Sequence, residues 1–123
     1  MSSRPSAPLL LLVACTLGAA ACADRSVERG RTLYTEHGCA VCHGAGGHGD
    51  GPSTQRLNVA PRDFADVRSY RQGSSQAEIA GSIRNGAGAA MPPFRDITEA
   101  EASDIAAWIV SLQQQAPRAG GQP

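Results

Sequence analysis

No lysine occurs in this chain, so all 11 of its basic side chains are arginines, and 11 acids balance them to a formal net charge of zero. With no basic excess to hold a phosphate backbone, the electrostatic case for nucleic-acid binding is absent, and no nucleic-acid partner is expected. Aromatic residues are equally sparse, at one Trp, two Tyr and two Phe. So few rings supply little of the bulk that a compact core needs, and 123 residues leave room for one small domain only. No stretch alternates apolar and polar residues with the period of a strand, and no segment repeats, which argues against a sheet or a repeat architecture. An apolar run approaching the roughly 20 residues of a membrane span is also missing. What remains is a small helical domain with too little of its own to fill its middle.

The N-terminal segment has the pattern of a leader. Arg4 precedes the apolar run Leu9, Leu10, Leu11, Leu12, Val13, Ala14, which fades into Leu17, Gly18, Ala19, Ala20 and Ala21. A positive start, a short hydrophobic stretch and small residues at its end predict a signal peptide over residues 1–23. Ala21 and Ala23 satisfy a small-x-small cleavage site that would leave Asp24 first. Small residues before Cys22, and Leu12, Val13 and Ala14 before Cys15, instead suit a lipoprotein signal, with a lipid on Cys22 as a membrane tether. An uncleaved anchor is the third form. Each places the domain outside the cytoplasm, so a periplasmic or exported protein is expected, with or without a membrane anchor. Removal of residues 1–23 takes away Arg4 and no acid, leaving a mildly acidic domain.

Residues 24–115 form that domain. Ser26 can cap a helix over 27–37 that carries Glu28 in its first turn, Val27, Gly30, Leu33 and Tyr34 on one face, and Gly38 as its stop. From Cys39 to Pro61 the density of Gly and Pro predicts a loop, and a loop of that length points to a ligand that it wraps. Ser75 with Glu78 has the form of a capping box and starts a helix over 76–85, with Ile79 and Ile83 on one face. Thr98 with Glu101 repeats the signal for a helix over 99–114, where Ile105, Trp108, Ile109 and Leu112 share a face. Residues 116–123 read as a polar, disordered tail.

The chemistry sits in Cys39, Ala40, Val41, Cys42 and His43. Two cysteines separated by two residues and followed at once by histidine form the attachment pattern of a c-type haem. The two thiols reach the two vinyl groups on one edge of the porphyrin, and the next side chain swings its imidazole under the iron. Three other readings use the same residues. A disulfide between Cys39 and Cys42 would close a tiny loop for little gain. A thioredoxin-like redox pair wants a βαβ context that is missing here. A zinc site wants a second ligand pair, for which only His37 and His48 remain. One haem c, held through Cys39 and Cys42 with His43 on the iron, is the expectation.

The opposite side of the iron decides between electron transfer and ligand chemistry. Met91 is the one methionine besides the initiator, and it follows the flexible run Gly86, Ala87, Gly88, Ala89, Ala90 and precedes Pro92 and Pro93. Such a segment brings a thioether to the iron and stiffens the backbone behind it. His43 with Met91 gives a closed iron of raised potential, suited to passing electrons. Plain core packing is the competing role for Met91. His48, five residues past His43, is the rival ligand, but it lies too near in sequence to cross the ring easily and reads as a solvated loop residue, as His37 does at the helix end.

Gly30 and Tyr34, the run from Cys39 to His43, Gly51 with Pro52, Met91, and a last helix carrying Trp108 together resemble the small class I cytochromes c of bacteria. The similarity spans residues 26–114, and the Gly-rich run after the histidine is closest to single-haem domains that serve respiratory oxidases and dehydrogenases. This resemblance implies an all-α, cytochrome c-like fold, with three to four helices around one covalently attached haem. It implies that Gly30 lets the first helix cross the last closely, near Tyr34 and Trp108, and that the carbonyl of Pro52 accepts a hydrogen bond from His43, which fixes the ring and its basicity. Leu33, Leu57, Val59, Phe64, Ile79, Ile83, Phe94 and Ile97 would wall the haem, and Arg62 and Arg84 are candidates to neutralise its propionates. The lack of lysine departs from the lysine-ringed docking face of mitochondrial cytochrome c.

A monomeric, non-enzymatic electron carrier is therefore expected, working between redox proteins such as a respiratory oxidase, reductase or dehydrogenase. The alternative is a haem enzyme of peroxidase type, or a gas-binding sensor, whose sixth ligand is labile. A docked subunit of one larger dehydrogenase would keep the chemistry and change only the partner.

Overall fold

The computed structural model describes residues 7–116, with side chains from residue 20 onward; the first residues of the expected leader and nearly all of the expected tail lie outside the described residues. The described chain holds helices α1 (Ala7–Glu36), α2 (Ala40–His43), α3 (Gln76–Asn85) and α4 (Glu99–Gln115), with short 3-10 turns at Thr54–Arg56 and Val67–Ser69. Among the described residues no strand forms beyond an isolated bridge between Ala87 and Met91. The fold is the expected all-α one.

α1 begins 20 residues before the predicted Val27 start. The residues upstream are mostly Ala and Leu, which propagate a helix well, and Pro8 falls in the first turn where its missing N–H is tolerated. The expected boundary at residues 23 and 24 thus lies inside a continuous helix. No helix among the described residues is long and apolar enough to cross a membrane.

Gly30, Leu33 and Tyr34 are buried along one face of α1, with Val27 beside them, and the partner surface is Ala102, Ile105, Ala106, Trp108 and Ile109 of α4. The helices cross closely. A Cβ built at Gly30 would collide with the backbone carbonyl of Asp104, so only glycine fits at the crossing. Tyr34 and Trp108 pack with ring centroids 4.4 Å apart. Ser26 donates its hydroxyl hydrogen to the Asp104 carboxylate, which also lies 3.4 Å from the Arg29 guanidinium. α3 adds Ile79 and Ile83 to the same core, joined by Phe64 and Ile97.

Both capping boxes form as the sequence predicts. Ser75 accepts from the Glu78 N–H while the Glu78 carboxylate accepts from Ser75, and Thr98 and Glu101 repeat the exchange. The Ser75 side chain and backbone hold Glu78 below its ordinary carboxylate range, and Thr98, backbone first, does the same for Glu101. A carboxylate depressed in the folded state contributes stability above its unfolded pKa, and that contribution is lost as pH falls through the folded value. A Glu78→Gln, Glu101→Gln variant should therefore show a flatter fall in thermal midpoint on acidification than the wild type. Parallel acid titrations by circular dichroism check this, and identical slopes would refute it.

The predicted loop from Cys39 to Pro61 is more ordered than its composition suggested, since it contains α2 and the turn at Thr54–Arg56. Short i→i+3 turns need only local bonds and survive among glycines. Of the expected apolar wall, Leu33, Phe64, Ile79, Ile83 and Ile97 are buried, Leu57 and Phe94 half-buried, and Val59 is 60 % exposed.

Candidate haem-binding site

Gly38, at φ +73°, stops α1, and the Cys39 N–H donates to the Tyr34 carbonyl at 3.1 Å, which turns the chain directly into α2. The Cys42 and His43 N–H groups both return to the Cys39 carbonyl, at 3.3 and 2.9 Å. Cys39 and Cys42 therefore stand three apart on one helical turn, where side chains lie on the same face. Both thiols are free.

So short a helix leaves its carbonyls without partners inside it. The chain that follows supplies them. The Val41 carbonyl accepts from Ser53 N–H at 3.0 Å, Cys42 from Gly51 N–H at 3.2 Å and from the Thr54 hydroxyl at 3.1 Å, and His43 from Gly49 N–H at 2.8 Å. The Gly44 carbonyl accepts from the buried Tyr34 hydroxyl at 2.6 Å. Such a bond contributes about 1 kcal/mol net, and leaving the carbonyl unpaired would cost about 1–3 kcal/mol. Gly51 lies so close to the Cys42 carbonyl group, 2.6 Å from a built Cβ, that no side chain fits there.

His43 stacks on Phe64, with ring centroids 4.6 Å apart and planes 23° from parallel. Its Nδ1 faces the Arg62 carbonyl at 3.4 Å. This corrects the expectation from resemblance, which gave the acceptor to Pro52. Pro52 is exposed, and its neighbours Gly51 and Ser53 brace α2 instead. Nothing in the side chain of Arg62 could have signalled the role, because the acceptor is a backbone carbonyl. Burial holds the His43 imidazole below its ordinary pKa; the Arg62 carbonyl opposes this and the Arg62 guanidinium adds to it. The neutral, ligating form is thus favoured. Burial also pushes the Cys39 thiol up to about 11, unlike the activated thiolate of a redox pair.

Met91 is half-buried against the core, at the end of a turn closed by Ala87 N–H on its carbonyl at 3.1 Å. His43 at the end of α2, through Phe64, and Met91 on its turn thus border one apolar cluster. His48 lies apart, 61 % exposed and 3.4 Å from an Asp63 carboxylate oxygen, as a solvated loop residue should. His37 is half-buried at the end of α1. Arg62 lays its guanidinium over the Tyr70 ring at 4.4 Å, and Arg84 pairs with Glu99 at 2.9 Å while its Nε is buried without a partner.

The donor set suits a porphyrin attached along one edge: two free thiols on one turn, an imidazole oriented through Nδ1, and an Nε2 with no hydrogen bond among the described residues. No cluster of three or more His, Cys, Asp or Glu side chains arranged to hold a metal ion occurs among the described residues, so the ligand set that a zinc site wants is not assembled there.

The chain is similar in structure to a chain of the Kuenenia stuttgartiensis reducing HAO-like protein complex, with a TM-score of 0.64 and 28 % identity, over 72 % of this chain and 44 % of that one. This chain thus spans less than half the length of that neighbour. No curated protein matches it. Residues 25–109 match the family described as cytochrome c oxidase, cbb3-type, subunit III. That match takes in the segments of both helices that meet at Gly30 and the whole cysteine turn, and the chain belongs to this family of c-type cytochrome domains.

Proposed function

We propose that this protein is an exported, single-haem electron carrier that shuttles between redox proteins and performs no chemistry of its own on a substrate. A c-type cytochrome domain carries covalently attached haem c and serves electron transfer; the haem supplies the one-electron couple. The chain's own residues attach, orient and shield. Cys39 and Cys42 would hold the porphyrin through their sulfurs, and His43 and Met91 would offer an imidazole nitrogen and a thioether sulfur to its iron. The observation that carries this reading is the single helical turn bearing Cys39, Cys42 and His43, with Nδ1 occupied by a carbonyl and Nε2 left over.

Docking rests on apolar contact more than on charge steering, since the domain is nearly neutral and Val41, between the two cysteines, is 47 % exposed. Export through the leader, with a lipid on the exposed Cys22 as tether, suits partners such as a respiratory oxidase, reductase or dehydrogenase. The neighbour's membership of a reducing HAO-like complex favours a second form of the same reading, in which the domain is a subunit of a larger redox assembly. Co-purification from native membranes in mild detergent separates a bound subunit from a free, monomeric shuttle.

The assignment of Met91 is tested by absorption spectroscopy of the ferric protein. The wild type should show the sulfur-to-iron charge-transfer band, and Met91→Ala should lose it entirely while retaining the covalent haem. Absence of the band in the wild type would remove Met91 from the iron and favour an enzyme or gas sensor with an open position.

A further inference from the structure

The carbonyl that faces His43 lies on a short strap, residues 62–64, and the structure shows how that strap is held. Phe64 N–H donates to the Gly47 carbonyl at 2.8 Å, and the Phe64 ring stacks against the imidazole. Asp63 accepts from the Ala65 N–H at 3.0 Å, a purely local bond. The one side chain that grips the strap at both ends is Tyr70. Its ring face carries the Arg62 guanidinium, 4.4 Å from the centroid, and its hydroxyl donates to the Phe64 carbonyl at 3.1 Å. Nearby, the side-chain amide of Gln113 in α4 reaches the Ser74 carbonyl at 3.5 Å, four residues beyond Tyr70.

We propose that Tyr70 is a positioning residue for the axial histidine: by fixing Arg62 on its ring and Phe64 on its hydroxyl, it keeps the Arg62 carbonyl against His43 Nδ1 and thereby sets how strongly the imidazole donates to iron. The inference rests on His43 being an iron ligand, as proposed above. A hydrogen bond at the distal nitrogen raises the basicity of a ligating imidazole, and loss of such an outer partner commonly costs tenfold or more in a property of the metal. A stronger donor favours ferric iron, so releasing the strap should shift the couple towards the reduced form. Cation–π contact and one neutral hydrogen bond are each modest. Together they act on a carbonyl whose 3.4 Å approach to Nδ1 leaves little slack before the bond is lost.

The test uses the mature holoprotein, with Tyr70→Leu, which removes both grips, Tyr70→Phe, which removes only the hydroxyl, and Arg62→Gln, which removes the guanidinium and keeps the carbonyl. Two quantities are read: solvent exchange of the His43 Nδ1 proton in the ferrous protein by nuclear magnetic resonance, and the reduced-to-oxidised ratio at a fixed ambient potential. Tyr70→Leu should exchange roughly tenfold faster and raise the ratio by up to about tenfold, with both single-grip variants between it and the wild type. A fall in melting temperature with exchange and ratio unchanged would reduce Tyr70 to a structural residue and overturn the proposal. If Tyr70→Leu fails to mature, unchanged values in both Tyr70→Phe and Arg62→Gln overturn it equally. A wild type without covalent haem overturns the carrier reading and this one together, whereas a normal haem spectrum with unresponsive variants overturns this one alone.

Discussion

A Cys39→Ser, Cys42→Ser variant should emerge with no covalently held pigment at all, its intact mass equal to that of its amino acids. The two sulfurs make the only bonds that could survive unfolding; an axial imidazole and thioether hold iron reversibly. Acid–acetone extraction should leave the wild-type colour on the protein, remove it from the double variant, and leave the single variants attached through one bond. The substitutions are small and the backbone of α2 does not depend on them. Its carbonyls are braced by Gly49, Gly51, Ser53 and Thr54, none of which touches a thiol in doing so. Pigment that resists extraction in the double variant would defeat the attachment chemistry.

The second large effect concerns Gly30. An added methyl group there meets the carbonyl oxygen and carbon of Asp104 and approaches Ile105 N to 3.0 Å, all of them backbone atoms that cannot rotate away. Gly30→Ala must push α1 off α4, loosening the Tyr34–Trp108 packing and the Ser26 and Arg29 contacts to Asp104. Overpacking of this kind costs about 1–3 kcal/mol, and can exceed that, against about 1 kcal/mol gained by replacing a helical glycine with alanine. With the backbone clash placing the cost at the top of that range, the net loss is about 2 kcal/mol, which should lower the melting temperature of so small a domain by roughly 10 °C. Gly81 is the matched control, lying in α3 with nothing within 4 Å of a built Cβ. Gly81→Ala should be neutral or stabilising, and a Gly30→Ala protein that melts with it would show that the crossing has more room than described.

Where side chains do the work, the sequence was legible. Ser75 with Glu78 and Thr98 with Glu101 fixed the starts of α3 and α4, and the cysteine turn announced the cofactor before any coordinates. The approach of α1 to α4 at Gly30 followed from resemblance, and the geometry supports it. Backbone-mediated features were not legible. The acceptor for His43 is the Arg62 carbonyl, which carries no mark in the residue name, and resemblance misassigned it to Pro52. The role of Tyr70 depends on two partners, Arg62 and Phe64, that come together only when the strap folds back.

The crossing of α1 and α4 joins the two ends of the domain, so neither helix can bury its apolar stripe until α4 has been made. Contacts between such distant segments form late, because their loop must close before they repay its entropy. The cysteines follow directly on α1, and they stay open to an attachment apparatus for as long as the final helix has yet to arrive. Order of assembly is thus written into connectivity: a domain that closes only when α4 docks leaves its thiols open until then.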